Sequence, residues 1–375
     1  METAAERLES LASTLPRRLP RVDLSAPEVL AAQARITAPA RTVVVVGTNG
    51  KTSTATFLAR LLQAGGLRVG LTVSPHLRRW SERVLVDGVE VEEAELADRV
   101  TALAEAGRGL DLRFFDLLTL AAAEIFADRR VDVAVFEAGI GGRLDTTAVL
   151  RPQLVVLTGI GLDHIELLGA DEFSILREKL GVAPAGAVVL SAPLGEALDR
   201  EALRLAAEMG FRLEFPPLVG ETFLERNWSL ARAASAQVVI ADEGGEPGPV
   251  TGRMQRATVD GVAVVLDAAH NPQAWQALAA ELPPRYVAVV SVSHDKPAAA
   301  LRDALGGAAA VIATAAWPGR SLEASELARM VGAEAVDDPG AATRQGLDRA
   351  RELDVPLVVF GSAYLLRHAI AELGL

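Results

Sequence analysis

A lysine preceded by a glycine turn and followed by hydroxyl side chains is where the chemistry of this chain is densest: Gly47-Thr48-Asn49-Gly50-Lys51-Thr52-Ser53. In front of it, Thr42-Val43-Val44-Val45-Val46 has the composition of a buried strand. Behind it, Ala55 to Gln63 reads as a helix that stops at Gly65-Gly66. Strand, glycine turn, lysine and helix together form a cradle for polyphosphate. The glycines let backbone N–H groups approach the anion, and the helix N-terminus adds partial positive charge. Lys51 would neutralise the distal phosphates. The spacing is Gly-x-x-Gly-Lys, shorter than the ordinary Gly-x4-Gly-Lys-Ser/Thr signature, and Val45 stands where that signature has its first glycine. Two readings are open, a variant nucleotide loop or a glycine turn with no ligand. The strand before and the helix after favour the first.

The elements that must position this loop alternate as short β-branched runs and alanine- and leucine-rich helical stretches, the pattern of a parallel α/β sheet. Strands are predicted at Thr42–Val46, Arg68–Val73, Val131–Phe136, Leu154–Thr158 and Ala187–Leu190, then at Val262–Leu266, Tyr286–Val290, Ala309–Thr314 and Pro356–Phe360. Val84 to Val91, with Asp87-Gly88 at its centre, reads as a hairpin. The polar Gly/Pro stretch from Asp242 to Pro249 separates the two strand groups and reads as a linker. The expected organisation is a P-loop-type, mostly parallel sheet domain over residues 1–245 and a smaller Rossmann-like α/β domain over 246–375.

Ligands of open parallel sheets bind beyond the carboxyl ends of the strands, and the polar residues gather there. Ser74-Pro75-His76 follows the second predicted strand, and Glu137 with Gly141-Gly142-Arg143-Leu144-Asp145 follows the third. Asp163-His164, Asp267-Ala268-Ala269-His270-Asn271-Pro272, His294-Asp295-Lys296 and Gly361-Ser362 follow later ones. Four of the five histidines lie just past a strand, which weakens the reading of each as an ordinary core or surface residue. Ser74, Glu137 and His164 are donors suited to a hard divalent cation beside a nucleotide, since magnesium takes few protein ligands and completes its shell with phosphate and water. Tetrahedral zinc would want more histidine or cysteine, and there is no cysteine.

Composition bounds the rest. With 375 residues, half of them hydrophobic, the chain can bury two cores, yet no apolar run reaches membrane-spanning length. The acidic start from Met1 to Glu9 does not read as a secretory signal, and the lack of cysteine fits a reducing cytoplasm, so a cytoplasmic location is expected. A formal charge of −12 and few aromatics argue against nucleic-acid partners. An anionic substrate must therefore be held by local cations, backbone amides and metal.

Taken in order, these residues resemble the folylpolyglutamate synthase/dihydrofolate synthase family of the Mur ligase superfamily, ATP-dependent ligases that form amide bonds. The resemblance spans roughly residues 40 to 370. It rests on Gly47-Thr48-Asn49-Gly50-Lys51, Ser74-Pro75-His76-Leu77 with Glu82-Arg83, Phe114-Phe115-Asp116-Leu117-Leu118-Thr119, and Glu137-Ala138-Gly139-Ile140-Gly141-Gly142-Arg143-Leu144-Asp145. It continues through Gly161-Leu162-Asp163-His164, Glu178-Lys179, Gly252-Arg253-Met254-Gln255, Asp267 to Pro272, Asp295-Lys296 and Gly361-Ser362-Ala363-Tyr364-Leu365. The resemblance implies that Lys51 and the Thr48, Asn49 and Gly50 backbone hold the β- and γ-phosphates of ATP, with Thr52 and Ser53 beside them. It implies that Ser74, Glu137 and His164 ligate Mg2+. Lys179 matches a lysine that is carbamylated in many relatives, which would support a second ion; taken alone, Glu178-Lys179 reads equally as an exposed charge pair on a helix. Asn227 matches an adenine contact. Arg253 would reach the phosphates from the second domain, and Asp267 and His270 would face the nucleotide and the reacting carboxylate.

The chain departs from the family at several points. It has Gly50-Lys51-Thr52-Ser53 where relatives read Gly-Lys-Gly-Ser, and Asp145-Thr146-Thr147-Ala148 where they read Asp-Ala-Thr-Asn. Val22 to Glu28 stands in place of an upstream Gly-Leu-Glu-Arg, so no pterin contacts are assigned. The implied reaction is ATP-dependent addition of L-glutamate to a folate or dihydropteroate carboxylate through an acyl phosphate, by a monomer. Closure about residues 243–250 would bring Arg253 to Lys51. The rivals are a cell-wall ligase with the same chemistry and a nucleotide-binding regulator that has lost it.

Overall fold

The computed structural model describes residues 2–15, 23–34, 36, 41–239 and 246–375. The chain divides into two compact units, Met1–Pro247 and Gly248–Leu375. Residues 240–245, which include the first half of the predicted linker and the start of the predicted hinge, lie outside the described residues, as does Val22.

The first unit is built on a sheet of eight strands: β1 Thr42–Val46, β2 Val69–Thr72, β3 Val84–Val86, β4 Val89–Glu90, β5 Val133–Glu137, β6 Leu154–Leu157, β7 Val188–Ser191 and β8 Arg212–Glu214. Their order is β4-β3-β2-β5-β1-β6-β7-β8. Only the β2–β3–β4 ribbon is antiparallel; β1, flanked by β5 and β6, is parallel to both. A central parallel strand is covered on both faces, so it reads as a continuous apolar run rather than an alternation. Accordingly all five residues of β1 are buried. The ribbon turns at Asp87 (φ 51°) and Gly88 (φ 77°), the paired positive φ of a two-residue hairpin loop.

The second unit carries six strands: β9 Gln255–Val259, β10 Val262–Asp267, β11 Tyr286–Val290, β12 Ala308–Ala313, β13 Glu334–Ala335 and β14 Leu357–Phe360. They run β13-β12-β11-β14-β10-β9, all parallel except β9 against β10. Both units are thus α/β with mostly parallel sheets, as the alternation of apolar runs implied. β8, β9 and β13 add three strands that the sequence patterns did not indicate. The helix behind the glycine turn runs from Lys51 to Ala64, four residues earlier than its apolar composition suggested. It starts there because Gly50 at its N-cap adopts a left-handed backbone (φ 83°) and the chain turns directly into the first helical residue.

Among the described residues, no helix is long and apolar enough to cross a membrane.

Candidate active site

β1 delivers the glycine turn to the edge of its sheet, and the Lys51–Ala64 helix leaves from it. Gly50 offers no side chain to the helix's first-turn amides, which leaves that position open to an anion. A side chain there would have to displace its neighbour: a Cβ on Gly50 would lie 2.8 Å from Asn227 Oδ1. This places Asn227, from the Phe223–Ser235 helix, against the turn. Thr48 is buried and Ser53 is only 1% exposed, while Asn49, Lys51 and Thr52 are half-buried.

Two lysines converge on one carbonyl. Lys51 Nζ donates to Gly47 O at 3.0 Å and to Thr48 O at 3.1 Å, and Lys179 Nζ donates to Gly47 O at 2.8 Å. Lys179 lies on the Glu172–Leu180 helix and is 4% exposed, so the reading of Glu178-Lys179 as an exposed charge pair is overturned. Glu178 instead pairs with Arg143 at 2.8 Å. Burial, reinforced by the nearby charge of Lys51, lowers the Lys179 pKa from 10.5 to about 7, against the pull of Asp163, Asp145 and Glu178. Near neutral pH this ammonium can lose its proton.

On the other side of the turn, Glu137 closes β5 with a carboxylate only 3% exposed. Thr52 Oγ1 donates to its Oε1 at 3.0 Å and the Ser74 backbone N–H donates to its Oε2 at 2.9 Å. Residues from three separate segments, one at the helix start and two at strand ends, thereby meet around a buried carboxylate. Their hard oxygen donors fit a magnesium-like ion and suit a soft metal poorly. His164 has a left-handed backbone (φ 51°), and its side chain is 17% exposed. Its backbone N–H is held by Asp163 Oδ1 at 2.9 Å.

Several groups that the sequence reading left without a role organise this rim. Asp145, 5% exposed, accepts from the Gly139, Ile140 and Thr147 N–H groups and from Thr147 Oγ1, fixing the loop after Glu137. Burial nevertheless raises its pKa. Arg83 Nε donates to His76 Nδ1 at 2.8 Å, so the proton of that imidazole sits on Nε2. Arg83 also lies over the Trp80 ring, 4.9 Å from its centroid. Thr158, the residue after β6, reaches the glycine turn. Its only sequence signal was a hydroxyl at a strand's carboxyl end.

In the second unit Asp267 closes β10 and is 4% exposed. Its carboxylate accepts from Met254 N at 2.7 Å and Ala269 N at 2.8 Å. Burial raises its pKa, opposed by the charges of Arg253 and His270, so these three predicted residues do cluster. His270 Nδ1 lies 3.0 Å from Ala268 O; a carbonyl only accepts, so Nδ1 carries a proton and donates to it. Asn271 Oδ1 and Ser362 Oγ cap the helices that follow them. Contacts thus bring together Thr48, Lys51, Thr52, Ser74, Glu137 and Lys179 in the first unit, and Arg253, Asp267 and His270 in the second.

The family profile described as "Mur ligase, glutamate ligase domain" matches residues 252–363. The dihydrofolate synthase/folylpolyglutamate synthase of Escherichia coli (strain K12) is 32% identical over 324 residues, covering 77% of this chain and 75% of that protein. The chain belongs to the dihydrofolate synthase/folylpolyglutamate synthase family. Solved structures of that family are similar to it throughout. E. coli FolC in complex with DHPP and ADP has a TM-score of 0.87 at 27% identity, covering 99% of this chain and 98% of that one. A bifunctional folylpolyglutamate synthase/dihydrofolate synthase with Mn, AMPPNP and L-glutamate bound has a TM-score of 0.86 at 28% identity, covering 99% of each.

Proposed function

We propose that this chain is an ATP-dependent ligase that joins L-glutamate to the carboxylate of a folate or of dihydropteroate, releasing ADP and phosphate. The observation that carries this reading is the buried Glu137, gripped by Thr52 and Ser74 at the start of the Lys51 helix, in a chain related to enzymes of that name. A carboxylate resists attack by an amine because it is already negatively charged. Transfer of the γ-phosphoryl group to it gives an acyl phosphate, and the glutamate nitrogen then displaces phosphate.

The side chains supply position and charge in that sequence. The Thr48 to Gly50 amides and Lys51 bind the β- and γ-phosphates, with Thr52 and Ser53 at the first turn and Asn227 on the nucleoside side. Ser74, Glu137 and His164 would hold Mg2+, which would supply positive charge beside the phosphates. Lys179, with its pKa at about 7, offers a neutral amine to carbon dioxide. Addition forms an N–C bond and releases a proton, turning a cation into a carboxylate able to support a second ion. Arg253 neutralises phosphate charge, and Asp267 and His270 orient nucleotide and substrate from the second unit. The two rivals differ in what they require. A cell-wall ligase needs a muramyl substrate, and a regulator needs no turnover.

Phosphate release from ATP is the test, measured with glutamate and with either dihydropteroate or tetrahydrofolate. Release that depends on both glutamate and a pterin substrate supports the reading. Release indifferent to pterins, or driven by a nucleotide-linked muramyl peptide, overturns it.

A further inference from the structure

The glycine turn does not stand alone: it is cross-stitched to residues 158–161, the segment that leaves β6 and leads to Asp163 and His164. Thr48 Oγ1 accepts from Gly161 N at 3.1 Å and donates to Gly161 O at 3.0 Å, while Thr48 N donates to Gly159 O at 3.0 Å. In the other direction, Thr158 N donates to Val46 O at 2.9 Å, and Thr158 Oγ1 donates to Asn49 O at 2.5 Å, with Val46 O farther off at 3.3 Å. The Thr158 hydroxyl occupies the space beside Gly47, where a Cβ would sit 1.9 Å from it; Gly47 also has φ 152°. Glycine is required at position 47 because threonine at 158 reaches into its place.

A trans peptide is planar, so its C=O and its N–H point in opposite directions. Holding the Asn49 carbonyl toward Thr158 therefore turns the Gly50 N–H away from Thr158, at the residue that opens the Lys51–Ala64 helix. The hydroxyl that braces the chain thus also fixes the direction of the amide that opens the helix. The Thr48–Gly161 pair ties the same turn to the strand exit that carries His164.

We infer that Thr158 is a positioning residue for the nucleotide: through the Asn49 carbonyl it aims the Gly50 amide at the polyphosphate, and together with Thr48 it makes nucleotide and divalent-cation binding reinforce each other. This rests on the reading of residues 47–51 as the phosphate cradle. Neither Thr158 nor the coupling belongs to the residues that the glycine-turn pattern itself identifies.

The test compares Thr158→Val, which keeps the shape and the N–H bond to Val46 but lacks the hydroxyl, with Thr158→Ser, which keeps the hydroxyl. Affinity for AMPPNP is measured by calorimetry with and without Mg2+, alongside steady-state phosphate release. A buried hydrogen bond lost at the loop predicts affinity for AMPPNP–Mg2+ about tenfold weaker in the valine variant, and a smaller gain in affinity on adding Mg2+ than in the wild type. The serine variant returns both to within about threefold of wild type. A purely structural role would lower the melting temperature and leave the affinity of the folded protein unchanged. Wild-type affinity and Mg2+ response in Thr158→Val, or a serine variant as weak as the valine one, overturns the inference. If Thr158→Val does not fold, Thr158→Ala against Thr158→Ser gives the same comparison. A wild-type chain that binds AMPPNP but ligates nothing sinks the proposed function and leaves this inference standing; one that binds no nucleotide sinks both.

Discussion

Replacing Lys179 with methionine should make the ligand-free chain more stable in mildly acidic solution while abolishing ligation. The argument starts from a lysine 4% exposed whose pKa falls from 10.5 to about 7 on folding. Between those two values the folded state binds fewer protons than the unfolded state, so stability rises with pH across the window and the full penalty is present below about pH 7. At about 1.4 kcal/mol per pH unit, that penalty is on the order of 5 kcal/mol in acid, and about 2–3 kcal/mol of it is relieved between pH 6 and pH 9. Methionine has no charge to bury and a similar length. Gly47 O, which loses the Lys179 donor, still accepts from Lys51 at 3.0 Å. Urea unfolding of both proteins from pH 6 to pH 9 in carbonate-free buffer gives the comparison, read as the difference between them so that other titrations cancel. The variant should lead by several kcal/mol at pH 6, and its lead should shrink steadily toward pH 9. A constant offset across that range would mean that Lys179 titrates as an ordinary lysine, and the neutral-amine argument would fail with it.

Other expectations concern the same rim. With 13C-labelled bicarbonate, the wild type should show a carbamate carbon resonance that grows as pH rises through about 7 and is missing in Lys179→Met; a resonance of equal size in both would place the carbamate elsewhere. Lys51→Ala should lower phosphate release by about 10²–10³-fold with an unchanged circular dichroism spectrum, and near-normal turnover would remove the lysine from the phosphate cradle. Glu137→Gln, which keeps the shape of the side chain but not its charge, should raise the Mg2+ concentration for half-maximal phosphate release by about tenfold or more; an unaltered Mg2+ titration would rule Glu137 out as a ligand. Gly50→Ala combines φ 83° with a Cβ 2.8 Å from Asn227 Oδ1, so it should cost about 1–2 kcal/mol by thermal unfolding and weaken ADP binding as well. Unchanged values of both would contradict the geometry of the turn.

Strands buried on both faces could be read in the sequence because they are written as unbroken apolar runs, such as Val43 to Val46, Val155 to Leu157 and Leu357 to Phe360, and the partly exposed β3–β4 ribbon could be read from its Asp-Gly turn. Those that escaped notice lie at sheet edges and have few apolar residues, such as Arg212–Glu214 and Glu334–Ala335. β9 was readable after all: Val259-Asp260-Gly261-Val262 repeats the Asp-Gly turn of the β3–β4 ribbon, with φ 48° and 83° at its centre. In the site, residues immediately past a strand were legible because topology alone puts them on the rim. Lys179 was reached only through the resemblance: taken alone, Glu178-Lys179 read equally as an exposed pair, although its place four residues after Ile175 and three after Leu176 puts it on the buried face of the Glu172–Leu180 helix. Thr158 was missed for a different reason: its effect passes through the backbone of Asn49, and no spacing rule records which carbonyl a hydroxyl will find.

The borders of the two sheets differ in length, and length governs what a border can recruit. Three of the four outermost strands, β4, β8 and β13, are two or three residues long, too brief to template a foreign partner. β9 has five residues and lies last in its sheet, with β10 on one side only. Its Gln255-Arg256-Ala257-Thr258 run is guarded by a single charge. Self-association during concentration or storage would begin there, and a lysine at Ala257 or Thr258 would be the simplest remedy for a laboratory that needs the protein at high concentration.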